Sequence, residues 1–91
     1  MPQLYRLVRL SAFDQDLFGI GRYSERGTLV RMALAALRVD PRHALGTFRV
    51  FIDTSEGWVL YRLVLPDKRG VIEYEIDTYE RVVVLHRIHW R

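Results

Sequence analysis

The last third of the chain, Val71 to Arg91 (VIEYEIDTYERVVVLHRIHWR), alternates between apolar and polar residues on either side of a short polar break. A period of two marks half-buried strands, because successive side chains of an extended backbone point to opposite faces. Ile72, Tyr74 and Ile76 share one parity, and Val71, Glu73, Glu75 and Asp77 share the other. Past Thr78–Glu80 the parities are Val82, Val84, His86, Ile88 and Trp90 against Val83, Leu85, Arg87, His89 and Arg91. A hairpin that pairs Ile76 with Val82 puts both charged sets on one surface, with Glu73 and Glu75 beside Arg87, His89 and Arg91. A one-residue slip would turn the carboxylates over the core, so burial is expected to enforce that register.

Carboxylate, imidazole and guanidinium groups on one open sheet face are the ingredients for handling a phosphate. Arginines hold the anion and stabilise growing negative charge, and an imidazole gives or takes a proton near neutral pH. The plainer alternative is a solvated sheet face laced with cross-strand Glu–Arg pairs.

Upstream, Leu4–Leu10 reads as a strand. Ser11 with Asp14 three residues on has the form of a helix N-cap, and Phe13, Leu17 and Ile20 follow at helical spacing until Gly19 and Gly21 weaken or end that helix. Tyr23–Thr28 reads as a polar turn. A second helix is expected over Thr28–Val39, with Leu29, Met32, Ala33, Ala36 and Leu37 as its packed stripe and Asp40-Pro41 as its stop. Leu45–Asp53 then alternates as a strand and ends at the turn Thr54-Ser55-Glu56-Gly57. Trp58–Leu65 is apolar enough to sit centrally in a sheet, and Pro66–Gly70 is a further turn. The expected architecture is α+β in the order β-α-α-β-β-β-β, a single domain over residues 1–91. Two N-terminal helices pack on one face of a mostly antiparallel sheet of four to five strands.

The formal charge of +3 permits nucleic acid or an acidic protein as partner without demanding either. Thirteen of the fourteen basic residues are arginine, the better bidentate phosphate ligand. Cysteine is absent, which excludes disulfides and thiolate chemistry and points to the cytoplasm. Arg6 and Arg9 interrupt the only N-terminal apolar run, so neither a signal peptide nor a membrane span is expected. His86 and His89 are three apart on a strand and should face opposite ways, His86 into the core. With His43 standing alone, no metal site or cofactor is expected.

This order of elements, the helix-ending Leu37-Arg38-Val39-Asp40-Pro41 and the closing strands together resemble the RelE/ParE toxin superfamily. Gly57–Leu63 (GWVLYRL), Val71–Asp77 and Val82–Trp90 are similar to that family's arginine-bearing strand, its Arg-hydrophobic-hydrophobic-Tyr strand and its terminal strand. Arg87-Ile88-His89-Trp90 resembles the R-x-H-Y ending of the YoeB-like branch, with tryptophan replacing tyrosine. The resemblance implies a toxin held by a cognate antitoxin and acting as a ribosome-dependent, metal-independent mRNA endonuclease. A 2′-hydroxyl then attacks the adjacent phosphate while a base and an acid move the protons.

On that resemblance His89 is the acid, Arg62 a phosphate ligand and Trp90 an aromatic contact to the nucleotide. Arg69 and Arg87 complete the expected phosphate-facing set, Glu73 is the carboxylate available on the face of His89 to act as base, and Lys68 and Arg91 are expected substrate contacts. Two departures stand out: Val71 occupies the place of the family's strand arginine, and the upstream glutamate has no match in Leu45–Asp53. Two further readings are a gyrase-inhibiting toxin of the ParE kind, which shares the fold without the nuclease set, and a degenerate toxin fold kept for protein interaction.

Overall fold

The alternating and helical segments form β1 (Arg6–Arg9), α1 (Ser11–Ile20), α2 (Glu25–Val39), β2 (Thr47–Phe51), β3 (Val59–Val64), β4 (Gly70–Asp77) and β5 (Val82–Trp90). They belong to a computed structural model that describes residues 4–21, 23–44, 47–51 and 59–91. The expected turn Thr54–Gly57 and Trp58 lie outside the described residues. The order is the expected β-α-α-β-β-β-β. The strands make one sheet arranged β1-β5-β4-β3-β2. Strands β2 to β5 pair antiparallel in succession, and β1, which the helices separate from the rest, lies parallel to β5. The middle strand is β4. The apolar β3 is interior but one place off centre.

Both helices cover one sheet face. Phe13 of α1 and Val30, Ala33 and Leu37 of α2 pack on Leu63, Ile72, Tyr74, Val83, Leu85 and Ile88. At roughly 25 cal/mol per Å² of apolar surface removed from water, this layer is the main source of stability. Tyr74, fully buried, donates its hydroxyl to the Pro41 carbonyl at 2.6 Å and stacks on Tyr61 with ring centroids 5.6 Å apart. The strand is thereby tied to the segment that follows α2.

Two expectations about the helices need correction. Ser11 is not a cap: Leu10 takes that position without a side-chain bond, and Asp14 pairs with Arg9 at 3.3 Å instead. The second helix begins a turn earlier than expected, because Ser24 caps it by accepting from the Gly27 N–H at 3.0 Å. Its packed stripe is accordingly Gly27, Val30, Ala33 and Leu37, while Met32 stays exposed.

Gly70 opens β4 against Trp90 of β5, and an added Cβ would stand 2.5 Å from Leu65 Cδ1 and 2.8 Å from the indole ring. Gly19, inside α1, has nothing within 4 Å. Gly70→Ala is therefore expected to destabilise by about 1–3 kcal/mol through overpacking. Gly19→Ala should stabilise by about 0.5–1 kcal/mol through helix entropy. Urea midpoints of the two variants check both, and equal shifts would refute the close approach at Gly70.

Candidate functional site

The β4–β5 hairpin carries one irregularity that rearranges its outer face. Asp77, Ile76, Glu75 and Tyr74 pair with Val82, Val83, Val84 and Leu85, but the next pair is Glu73 with Arg87. His86 is the extra residue of a β-bulge, a device that bends a strand and re-aims its side chains. The expected pairing of Ile76 with Val82 is not observed: on the turn side of the bulge Ile76 pairs with Val83, and the bulge then returns Arg87 and His89 to the face of Glu73. Before the bulge Val83 and Leu85 face the core, and beyond it Ile88 does. On the open face the sequence runs Val84, His86, then Arg87 and His89. His86 and His89 therefore share a face, contrary to the expectation from simple alternation.

Cross-strand pairing puts Arg62 of β3, Glu73 of β4 and Arg87 of β5 in one row. Glu73 is the most enclosed, with 14% of its side chain accessible against about half for Arg87 and His89. Its Oε1 is in contact with His89 Nε2, and its Oε2 stands 3.8 Å from Arg62 Nη2. One carboxylate thus holds an imidazole on one side and a guanidinium on the other. Glu75, the next carboxylate on this face, lies 3.4 Å from His86 Nε2.

Arg87 is organised from outside the sheet. Strand β1 pairs with β5 only as far as Leu85, so among the described residues no strand covers the β5 edge beyond that point. Helix α1, which follows β1, runs along this edge and places Asp16 there. Asp16 accepts from Arg87 Nε at 2.9 Å, from Arg87 Nη2 at 3.2 Å and from the Ile88 backbone N–H at 2.9 Å. The fork satisfies a strand N–H that would otherwise lack a ladder partner and fixes the guanidinium two residues before His89. The Arg87 bonds hold the Asp16 carboxyl below its ordinary value of 3.8, against burial, with the Ile88 N–H adding to them. Asp16 in turn raises Arg87.

The remaining expected residues fall at one end of the sheet. Val71 pairs directly with His89, so the place of the missing strand arginine adjoins the imidazole. Arg69 and Arg91 continue the register one step further, joined by the Arg91 N–H donating to the Arg69 carbonyl at 3.1 Å. Both are exposed, as is Lys68, which takes a left-handed φ of 62° at the turn. Trp90 faces the other way, over Gly70 and beneath Arg26, whose guanidinium carbon is 5.0 Å from the ring centroid. It is packed on the helix side and stands apart from the row of Arg62, Glu73 and His89.

Sequence reasoning missed Asp16 because its role depends on where β1 stops, and it placed His86 in the core because no residue pattern announces the bulge. Among the described residues no group of three or more His, Cys, Asp or Glu side chains could hold a metal ion, and no helix is long and apolar enough to cross a membrane.

The Asp16 carboxyl predicts a pH dependence. A carboxyl with a lowered folded-state pKa contributes stability above its ordinary value, and that contribution is lost as pH falls through the lower folded one. Asp16→Asn should therefore reduce stability at neutral pH and flatten the decline below about pH 4. Unfolding midpoints across that range measure both effects. Parallel curves for variant and parent would contradict the fork.

No protein-family model matches the sequence, and no curated protein is significantly similar to it. Solved structures do match. A chain of the toxin–antitoxin complex RelBE2 from Mycobacterium tuberculosis superposes with a TM-score of 0.71 at 16% identity, covering 97% of this chain and 99% of that one. A chain of the archaeal RelE–RelB complex from Pyrococcus horikoshii gives 0.72 at 13% identity, covering 97% and 96%. At these identities the likeness is one of backbone arrangement. This chain has the RelE-like fold of these two structures.

Proposed function

We propose that this chain is the toxin of a toxin–antitoxin pair and that it cuts mRNA on the ribosome, in the cytoplasm, as a metal-independent endonuclease. The single observation that carries the nuclease reading is Glu73 held between His89 and Arg62 on an open face, with Arg87 in the same row. Both structural relatives come from toxin–antitoxin complexes, which supports a cognate antitoxin as partner.

In this reading Arg62 and Arg87 neutralise the phosphate as the 2′-oxygen attacks it, which lowers the energy of the pentacovalent state. His89 protonates the departing 5′-oxygen, and Glu73 keeps its ring oriented. Arg69, Arg91 and Lys68, at the sheet end next to Val71 and His89, supply positive charge along the path of the RNA backbone. Trp90 serves by packing Gly70 and the β5 end rather than by stacking on a base. A second reading, contact inhibition of DNA gyrase without catalysis, is favoured by Val71, which leaves β4 without a guanidinium directly across from His89.

Induced expression with mapping of transcript ends and of DNA breaks separates the two. The parent chain should arrest growth with cuts inside codons. His89→Ala should cut ribosome-bound mRNA about 10²–10⁴-fold more slowly, the usual share of a general acid. DNA breaks with intact transcripts would replace the nuclease reading with the gyrase one.

A further inference from the structure

At the opposite end of β5 from His89, three elements bring arginines together. The β4–β5 turn, the start of β1 and the end of α2 are fastened there by backbone bonds. The Arg6 N–H donates to the Arg81 carbonyl at 2.9 Å, and the Tyr5 N–H donates to the Arg38 carbonyl at 2.8 Å. Arg42, just past α2, reaches across to the turn, where its Nη2 donates to Thr78 Oγ1 at 2.5 Å. The Arg81 guanidinium lies over the Tyr5 ring, 4.6 Å from its centroid. Arg6 and Arg38 are exposed, and among the described residues neither side chain makes an ion pair or a hydrogen bond.

Two open concavities of about 350 and 400 Å³ meet at Leu4 and Arg6, one reaching Arg38 and the other Tyr79, Glu80 and Arg81. The carboxylates nearby do not cancel the charge. Asp77 accepts from the Glu80 N–H at 3.0 Å and Asp40 is paired with His43, which leaves Glu80 against the guanidinium groups. Tyr79, in the turn, is 98% exposed, so its ring adds nothing to the core. Arginines around an unburied aromatic ring suit RNA, because phosphates meet the guanidinium groups while a base stacks on the ring. An acidic peptide would match the charge but leave the ring in water. Arg6 pairs with Val82, seven residues before His89, a separation of about 23 Å along β5. RNA held here is therefore a different segment from the one presented to Glu73 and His89.

We infer that this end of the molecule is a second RNA-binding surface, which anchors a folded RNA by its phosphates and takes no part in bond breaking. Arg6, Arg38 and Arg81 meet the phosphates, and Tyr79 takes an unpaired base. Arg42, tied to Thr78, holds the turn against the end of α2 and so keeps the spacing between them. The anchor goes beyond the nuclease reading and stands whether or not the chain cuts RNA.

A fluorescent RNA hairpin with an unpaired loop serves as the probe, its binding followed by anisotropy across a salt series. Arg6→Gln combined with Arg38→Gln should weaken binding and reduce the slope of log affinity against log salt by about two, one for each lost phosphate contact. Tyr79→Ala should weaken binding about 10-fold and keep the parent slope. Arg31→Gln, which removes a charge from another part of α2, should leave both near the parent values. With ribosome-bound mRNA the double variant should raise KM and leave kcat unchanged, since the lost binding is uniform. A parent slope in the double variant, an equal loss per charge from Arg31→Gln, or a polyglutamate peptide that binds this surface in preference to the hairpin would overturn the assignment. All four positions are exposed, and Tyr79→Ala tests the surface independently of the arginines. A parent that binds the hairpin through this surface but cuts nothing ends the nuclease reading alone. A parent that cuts while the double variant binds as tightly ends only the anchor.

Discussion

Pairing between β4 and β5 governs the rest of the structure, and its decisive feature is that eight residues of β4 are matched by nine of β5. On the turn side of the mismatch, burial of Tyr74, Val83 and Leu85 sets which side chains point inward. On the other side, burial of Ile72 and Ile88 sets them again, one residue out of phase. A regular hairpin could bury only one of these two sets from β5. Inserting His86 lets both reach the helices, and it brings Arg87 and His89 onto the face that already carries Glu73, Glu75 and Arg62. The chemistry of the face is thus a consequence of how the core is filled.

A second constraint comes from the sheet edge. Because β1 ends opposite Leu85, the remainder of β5 has backbone donors facing no strand among the described residues. Asp16 closes one of them and holds Arg87 with the same carboxylate. The helix that follows β1 therefore terminates the sheet and positions a cation beside the row of charged residues. An exposed ion pair usually contributes little to stability. This one is bidentate and shares its carboxylate with a strand N–H, so its main effect is on where the guanidinium points.

Segments with a clear period were legible from residues alone. The α+β order, both helices and the closing hairpin follow from alternation and turn chemistry, whereas the bulge at His86 is what keeps Arg87 and His89 on the face of Glu73. Helix limits were less legible, because Ser24 competes with Thr28 as a start and only the local bond to Gly27 decides between them. The packed stripe of α2 shifted with that start, leaving Met32 exposed where it was expected to be buried. His86 was misplaced for a deeper reason. A β-bulge is favoured by the fit of two faces against neighbours, and those neighbours are distant in sequence.

What the sequence by itself determined was therefore periodic: which stretches are strands or helices, that one sheet face is apolar and the other charged, and that β5 ends in basic and imidazole groups. Alternation is a local property of the backbone, so it needs no partner to be seen. Tertiary structure alone decided the phase of that alternation past Leu85, the pairing of Asp16 with Arg87, and the turning of Trp90 toward the helices. Each of these depends on where a remote strand ends or how a remote side chain fills the core, and no local period encodes either.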